Sequence, residues 1–189
     1  MGIEITPHLD LLTVVKGRTH KANLVLSKSL HLWKKMKLKN IRYLVGVYIY
    51  PSLLYGLQAF NLNQEAFNVI RRFARTTEAK ILNVQPWTGK SWKAPASPQA
   101  PQEDRIRDLE KAETDILVRW TKRKLTFIGH FYRHEQEART ELKAHLEGLQ
   151  RTINIPDLLN LDLELANDRP KWKKVIKSIV TNLLRYRAL

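Results

Sequence analysis

The chain contains no cysteine, which removes disulfides and thiolate metal sites together and leaves neither a zinc finger nor a framework for an oxidising compartment. Gly-x-x-x-x-Gly-Lys-Ser/Thr and Gly-x-Gly-x-x-Gly are both missing, so no glycine-rich loop can cradle phosphates, and no Gly-x-Ser-x-Gly elbow holds a serine nucleophile. Met1 to Pro7 carries Glu4 and no basic start followed by an apolar stretch. It resembles neither a signal peptide nor a transit peptide, and an intracellular protein is expected. Negative charge is scarce as well: 18 acids face 33 Lys and Arg, for a formal charge of +15.

That charge is unevenly placed. Residues 1 to 60 hold nine basic residues against two acids, residues 61 to 100 six against two, and residues 101 to 189 eighteen against fourteen. An electropositive first half attracts a polyphosphate backbone, because each neutralised phosphate releases condensed counterions. With a sequence pI near 10.1, nucleic acid is the expected partner. Docking to an acidic protein is the other reading.

From Tyr43 to Gln64 no residue is charged, which just suffices for the ~20 residues of a spanning helix. Four tyrosines, Ser52, Gln58, Pro51 and two glycines dilute the run, and the tyrosines are spread along it instead of forming belts at its ends. A buried helix over 41 to 60, central to a core and bent near Pro51, is therefore expected in place of a membrane span.

Elsewhere helical periodicity dominates. Residues 18 to 38 place Leu24, Leu26, Leu30 and Trp33 inward and Lys21, Lys28, Lys34, Lys35 and Lys37 toward water. Asn63 reads as an N-cap for a helix with the stripe Phe67, Ile70, Ala74, Thr77 and Ile81, and Arg71, Arg72 and Arg75 on its other face. Ile3 to Thr6 is the one good strand candidate. Between Asn83 and Gln102, four prolines and Gly89 break the pattern into a linker. Trp87 and Trp92 lie in it beside Lys90 and Lys93, a pairing suited either to stacking on unpaired bases or to anchoring the loop on the core. Helices resume over 104 to 122, 135 to 150 and 171 to 186. The fold class expected is all-α, a helical bundle with domains at 1–82 and 103–189 joined by the Pro/Trp-rich linker 83–102.

Catalytic constellations are thin. His130 and His134 share the four-residue spacing of a metal site, but Phe131, Tyr132 and Arg133 between them supply no general-base Glu and no third ligand is evident. Asp104 and Asp108 are one turn apart with Arg105 and Arg107 between them, as helix-start acids commonly are. No metal and no cofactor is expected.

Several segments, in order, resemble one family. Met1-Gly2-Ile3-Glu4-Ile5 resembles the Leu-Gly-x-x-Ile strand near the end of the palm in reverse transcriptases of non-LTR retrotransposons. Leu53-Leu54-Tyr55-Gly56 with Ala59-Phe60 is similar to a Leu-Leu-Tyr-Gly stretch of their thumb, and Ile70-Arg71-Arg72-Phe73-Ala74-Arg75 to its basic helix. Leu125-Thr126-Phe127-Ile128-Gly129-His130 resembles the Leu-x-Trp-Leu-Gly-His element after the thumb, and Arg169-Pro170-Lys171-Trp172 an Arg-Pro-x-x-Arg-Trp element near their C-termini. Phe127 and Phe60 stand where the family has tryptophan. The Tyr-x-Asp-Asp carboxylates that hold two Mg²⁺ in that family have no counterpart in this chain.

The resemblance implies a thumb-like bundle that grips a template-primer duplex without catalysing. Together with the charge pattern it nominates Lys34, Lys35, Lys37, Lys39, Arg42, Arg71, Arg72, Arg75, Lys122, Arg123 and Lys124 for phosphate contact, with Trp87 and Trp92 for bases and structured RNA as partner. The alternatives are an interaction subunit of a larger complex and a piece of an active reverse transcriptase.

Overall fold

Asp10 opens the first helix. Its carboxylate accepts the amides of Leu12 (3.1 Å) and Thr13 (3.2 Å) and the Thr13 hydroxyl (2.6 Å), an N-cap that fixes the start of α1 (Leu11–Trp33). A computed structural model describes residues 10–33, 35–90, 101–134, 139–153 and 158–187. Among these residues the fold is all-α, a helical bundle without an extended strand. The strand candidate at Ile3 to Thr6 lies outside them.

The seam of α1 differs from the expected one. Val15, Thr19, Ala22 and Leu26 are buried, at steps of four and three, whereas Leu24 is exposed. A stripe drawn through the largest residues overlooked that small side chains, Thr19 and Ala22, form part of the packed face.

The run from Tyr43 to Phe60 is not one helix. α2 (Leu38–Leu44) passes into a π turn (Val45–Ile49), and α3 (Tyr50–Leu54) follows. Pro51 is the cause: it lacks an N–H and its ring crowds the Val47 carbonyl, so the turn before it widens. The Tyr50 N–H accordingly donates to the Val45 carbonyl, five residues back. Gly56, at φ 73°, then turns the chain into a 3₁₀ turn at Leu57–Ala59. The inner face of the run is core, with Val45, Ile49, Tyr50, Leu53, Leu54 and Leu57 buried.

Asn63 caps α4 (Gln64–Leu82) through its Oδ1, which accepts the Ala66 amide at 2.8 Å. Phe67, Ile70, Ala74 and Thr77 are buried as a stripe. The helix ends in a Schellman motif: Val84 N–H donates to the Ala79 carbonyl (2.9 Å) and Asn83 N–H to that of Lys80 (3.4 Å), with Asn83 at φ 55°. Val84 then packs with Ala79, Leu82 and Leu109. α5 (Gln102–His134) runs unbroken through the Leu125 to His130 element, and α6 (Arg139–Ile153) and α7 (Arg169–Arg187) follow.

Two compact units result, Met1–Tyr55 with Asn68–Ile116 and Gly56–Phe67 with Leu117–Leu189. These differ from the boundaries at 82 and 102 expected from the prolines, because α5, about 50 Å long at 1.5 Å per residue, is long enough for its two ends to belong to different units. In the first unit α1 packs on the π turn and α3. In the second, Phe67 packs on Trp120 with ring centroids 5.2 Å apart, and Trp172 of α7 donates from Nε1 to the Leu125 carbonyl at 3.0 Å. Gly129 permits that approach, since a Cβ there would lie 2.0 Å from Trp172 Nε1. Among the described residues no helix is long and apolar enough to cross a membrane.

Candidate nucleic-acid interface

Asp10 and Glu65 are successive acids in the sequence. Everything between them, folded as α1, α2, the π turn and α3, carries charge of positive sign only. Lys35, Lys37 and Lys39 stand exposed where α1 gives way to α2. The backbone there is fixed by Lys37, the N-cap of α2, whose carbonyl accepts the amides of Asn40 (2.8 Å) and Ile41 (3.2 Å). Lys34 lies outside the described residues.

The same segment exposes side chains expected to be buried. Tyr43, Tyr48 and Tyr55 are 68%, 62% and 59% exposed, and Val47 is exposed with them. An uncharged run need not be an unexposed one, because a phenol carries a hydroxyl that water can hydrogen-bond. The usable signal was the split between residue types: every Leu and Ile from Ile49 to Leu57 is buried, whereas three of the four tyrosines are not.

Three of the nominated arginines are engaged inside the first unit. Arg42 donates to Glu78 (Nε to Oε1, 2.7 Å) and pairs with Asp108 at 2.8 Å. Burial opposes the Arg42 charge, but these two carboxylates outweigh it and raise its pKa above the ordinary guanidinium value. Glu78 is itself pushed up, burial exceeding the pull of Arg42. Arg71 and Arg75, one turn apart, converge on Glu113 at 2.7 and 2.9 Å. Arg75 also donates to the Pro86 carbonyl and lies 5.2 Å from the centroid of the Trp87 ring. Arg72, between them in sequence, is exposed. Trp87 is exposed under its guanidinium neighbour, and Trp92 lies outside the described residues.

Lys122, Arg123 and Lys124, consecutive on α5, point three ways because each residue turns the helix by about 100°. Lys122 is exposed; Arg123 is half-buried, its pKa lowered first by desolvation and then by Arg119. Lys124 is 0% exposed in the second unit. Its Nζ donates to the Phe60 carbonyl (3.0 Å) and Asn61 Oδ1 (3.1 Å) and lies 2.8 Å from His145 Nδ1. His145 Nδ1 also lies 2.7 Å from Asn61 Oδ1; a neutral amine fits the cluster, with its two N–H donors on the oxygens and an Nδ1–H shared between Asn61 Oδ1 and the amine lone pair. Desolvation indeed lowers Lys124 to about 7, and burial followed by the Lys124 charge lowers His145 to about 4. Lys124 is thus an internal polar anchor, closed to an external phosphate.

His130 and His134 lie one turn apart on α5 with ring centroids 4.5 Å apart and planes tilted by 49°. Among the described residues no group of three or more His, Cys, Asp or Glu is placed to hold a metal ion. The structure therefore leaves Lys35, Lys37 and Lys39 exposed at the junction of α1 and α2, leaves Arg72 and Lys122 exposed on α4 and α5, and draws Arg42, Arg71, Arg75 and Lys124 into internal contacts. No family model, no curated protein and no solved structure matches the chain.

Proposed function

We propose that this chain is a non-catalytic, intracellular RNA-binding protein related to a reverse-transcriptase thumb, which holds phosphate backbone on a basic helical surface. The observation that carries this reading is the stretch from Asp10 to Glu65, which has no acid within it and exposes Lys35, Lys37 and Lys39. Backbone contact of this kind gives affinity without base readout. The test is the salt dependence of binding to a fluorescent structured RNA. Log K should fall linearly with log salt, with a slope on the order of −4 to −7 for five to eight phosphate contacts. Reversing Lys35, Lys37 and Lys39 to Glu should make the slope shallower by about 2 to 3 and weaken all sequences alike. A flat salt response would replace this reading with a protein-docking one, which the exposure of Leu24, Val25 and Leu32 on α1 supports.

A further inference from the structure

Three exposed tyrosines sit on the segment that carries the lysines, and the π turn decides how they line up. In an uninterrupted α-helix, Tyr43 and Tyr48 would diverge by about 140°. The π turn spans Val45–Ile49 and closes on Tyr50, so Tyr48 lies inside it; its slower rotation per residue reduces that divergence, and over the twelve positions from Tyr43 to Tyr55 the one residue it adds leaves those two about 20° apart. Lys39 is one turn before Tyr43 on α2 and exposed like it. At the other end Arg18 of α1 donates to the Ser52 carbonyl (3.4 Å) and has the Tyr55 phenol as an electrostatic neighbour. The result is a run of exposed rings that begins one turn after Lys39 and ends beside Arg18, with no acid in the segments that build it.

We propose that Tyr43, Tyr48 and Tyr55 form a stacking platform for an unpaired RNA strand whose phosphates continue onto Lys35, Lys37 and Lys39. The inference rests on the phosphate-binding reading above and adds the class of RNA. Along the axis the rings are spaced by roughly 6 and 10 Å, intervals that admit one and two bases at about 3.4 Å per step. Stacking of this kind accepts any base and requires unpaired ones, since paired bases present no free face. Charge complementarity selects the occupant: phenol rings among lysines fit an aromatic polyanion better than the aliphatic face of a protein partner.

The experiment compares a fluorescein-labelled 15-nucleotide oligouridine with a duplex RNA of the same length, using the full chain, a Tyr43→Leu/Tyr48→Leu/Tyr55→Leu variant and the matching Tyr→Phe variant. The Leu variant should bind oligouridine at least tenfold more weakly and duplex within twofold of wild type, while the Phe variant, which keeps the rings, should bind both normally. Oligouridine carrying 4-thiouridine should photocrosslink to peptides containing these tyrosines. Oligouridine binding that survives in the Leu variant but is lost on reversing Lys35, Lys37 and Lys39 overturns the platform and leaves the phosphate reading intact. Binding indifferent to both sets of substitutions overturns both. Equal loss on duplex and single strand, or a change in sedimentation of the Leu variant without any effect on RNA, also overturns the platform, the latter in favour of a protein-facing surface.

Discussion

Lys37 and Lys124 are the same residue type, yet the first unit holds Lys37 in water among other lysines while the second closes over Lys124 completely. The first unit can keep its cations outside because α1 to α3 hold no acid to draw them in, and the arginine that does turn inward, Arg42, meets carboxylates from α4 and α5. The second unit surrounds its lysine with a carbonyl, an amide and an imidazole, none of them charged partners. Such a site favours the neutral amine. Basic residues that look alike in sequence therefore divide into a set available to anions and a set that serves the fold.

The strongest way to sharpen this contrast is to break the second unit's packing where it is tightest. Trp172→Ala should cost about 3 to 5 kcal/mol by urea denaturation. Gly129→Ala should be comparably severe, because its Cβ would meet the indole. In the Trp172→Ala background the same glycine substitution should become neutral or stabilising by up to about 1 kcal/mol, as helix propensity alone would have it. An equal penalty in both backgrounds would mean that Gly129 is not there to seat Trp172.

That contact also marks how far the sequence could be read. The all-α class, the Asn63 cap and the stripe of α4 were legible because caps and periodicity are local. The elements Leu125 to His130 and Arg169 to Trp172 were each visible as motifs, but their meeting, with the indole seated on Gly129, depends on tertiary packing between α5 and α7. The proline at position 51 announced an interruption; that it takes the form of a π turn, and so brings Tyr43 and Tyr55 toward one side, did not follow from periodicity counted at 3.6 residues per turn. Burial of Lys124 was hidden for a similar reason. Lys122, Arg123 and Lys124 look like one basic patch until helical rotation separates them.

A pH titration of stability probes the two treatments of charge directly. Lys124 has its folded-state pKa lowered from 10.5 to about 7 by burial, so between those values the unfolded chain binds more protons than the folded one and stability rises with pH. From pH 7 to 9 the gain should be up to about 2.7 kcal/mol, with little further change from this group below 7. Lys124→Met should flatten the rise. His145, lowered from 6.5 to about 4, works in a lower window: its contribution is complete above 6.5 and is lost as pH falls toward 4. Urea midpoints of wild type and Lys124→Met measured from pH 4 to 9.5 separate the two, and a wild-type curve flat between 7 and 9 would remove the neutral-amine account of the cluster.

The smallest expected effect is the most telling about the first unit. Tyr48 is 62% exposed whereas Leu54, in the same uncharged run, is 1% exposed. Tyr48→Ala should accordingly change unfolding free energy by no more than about 0.5 kcal/mol, the range of surface substitutions remote from packing, caps and buried polar groups. If Tyr48→Ala instead destabilised the chain by several kcal/mol, the ring would be packing against the fold, and the row of tyrosines would belong to the core.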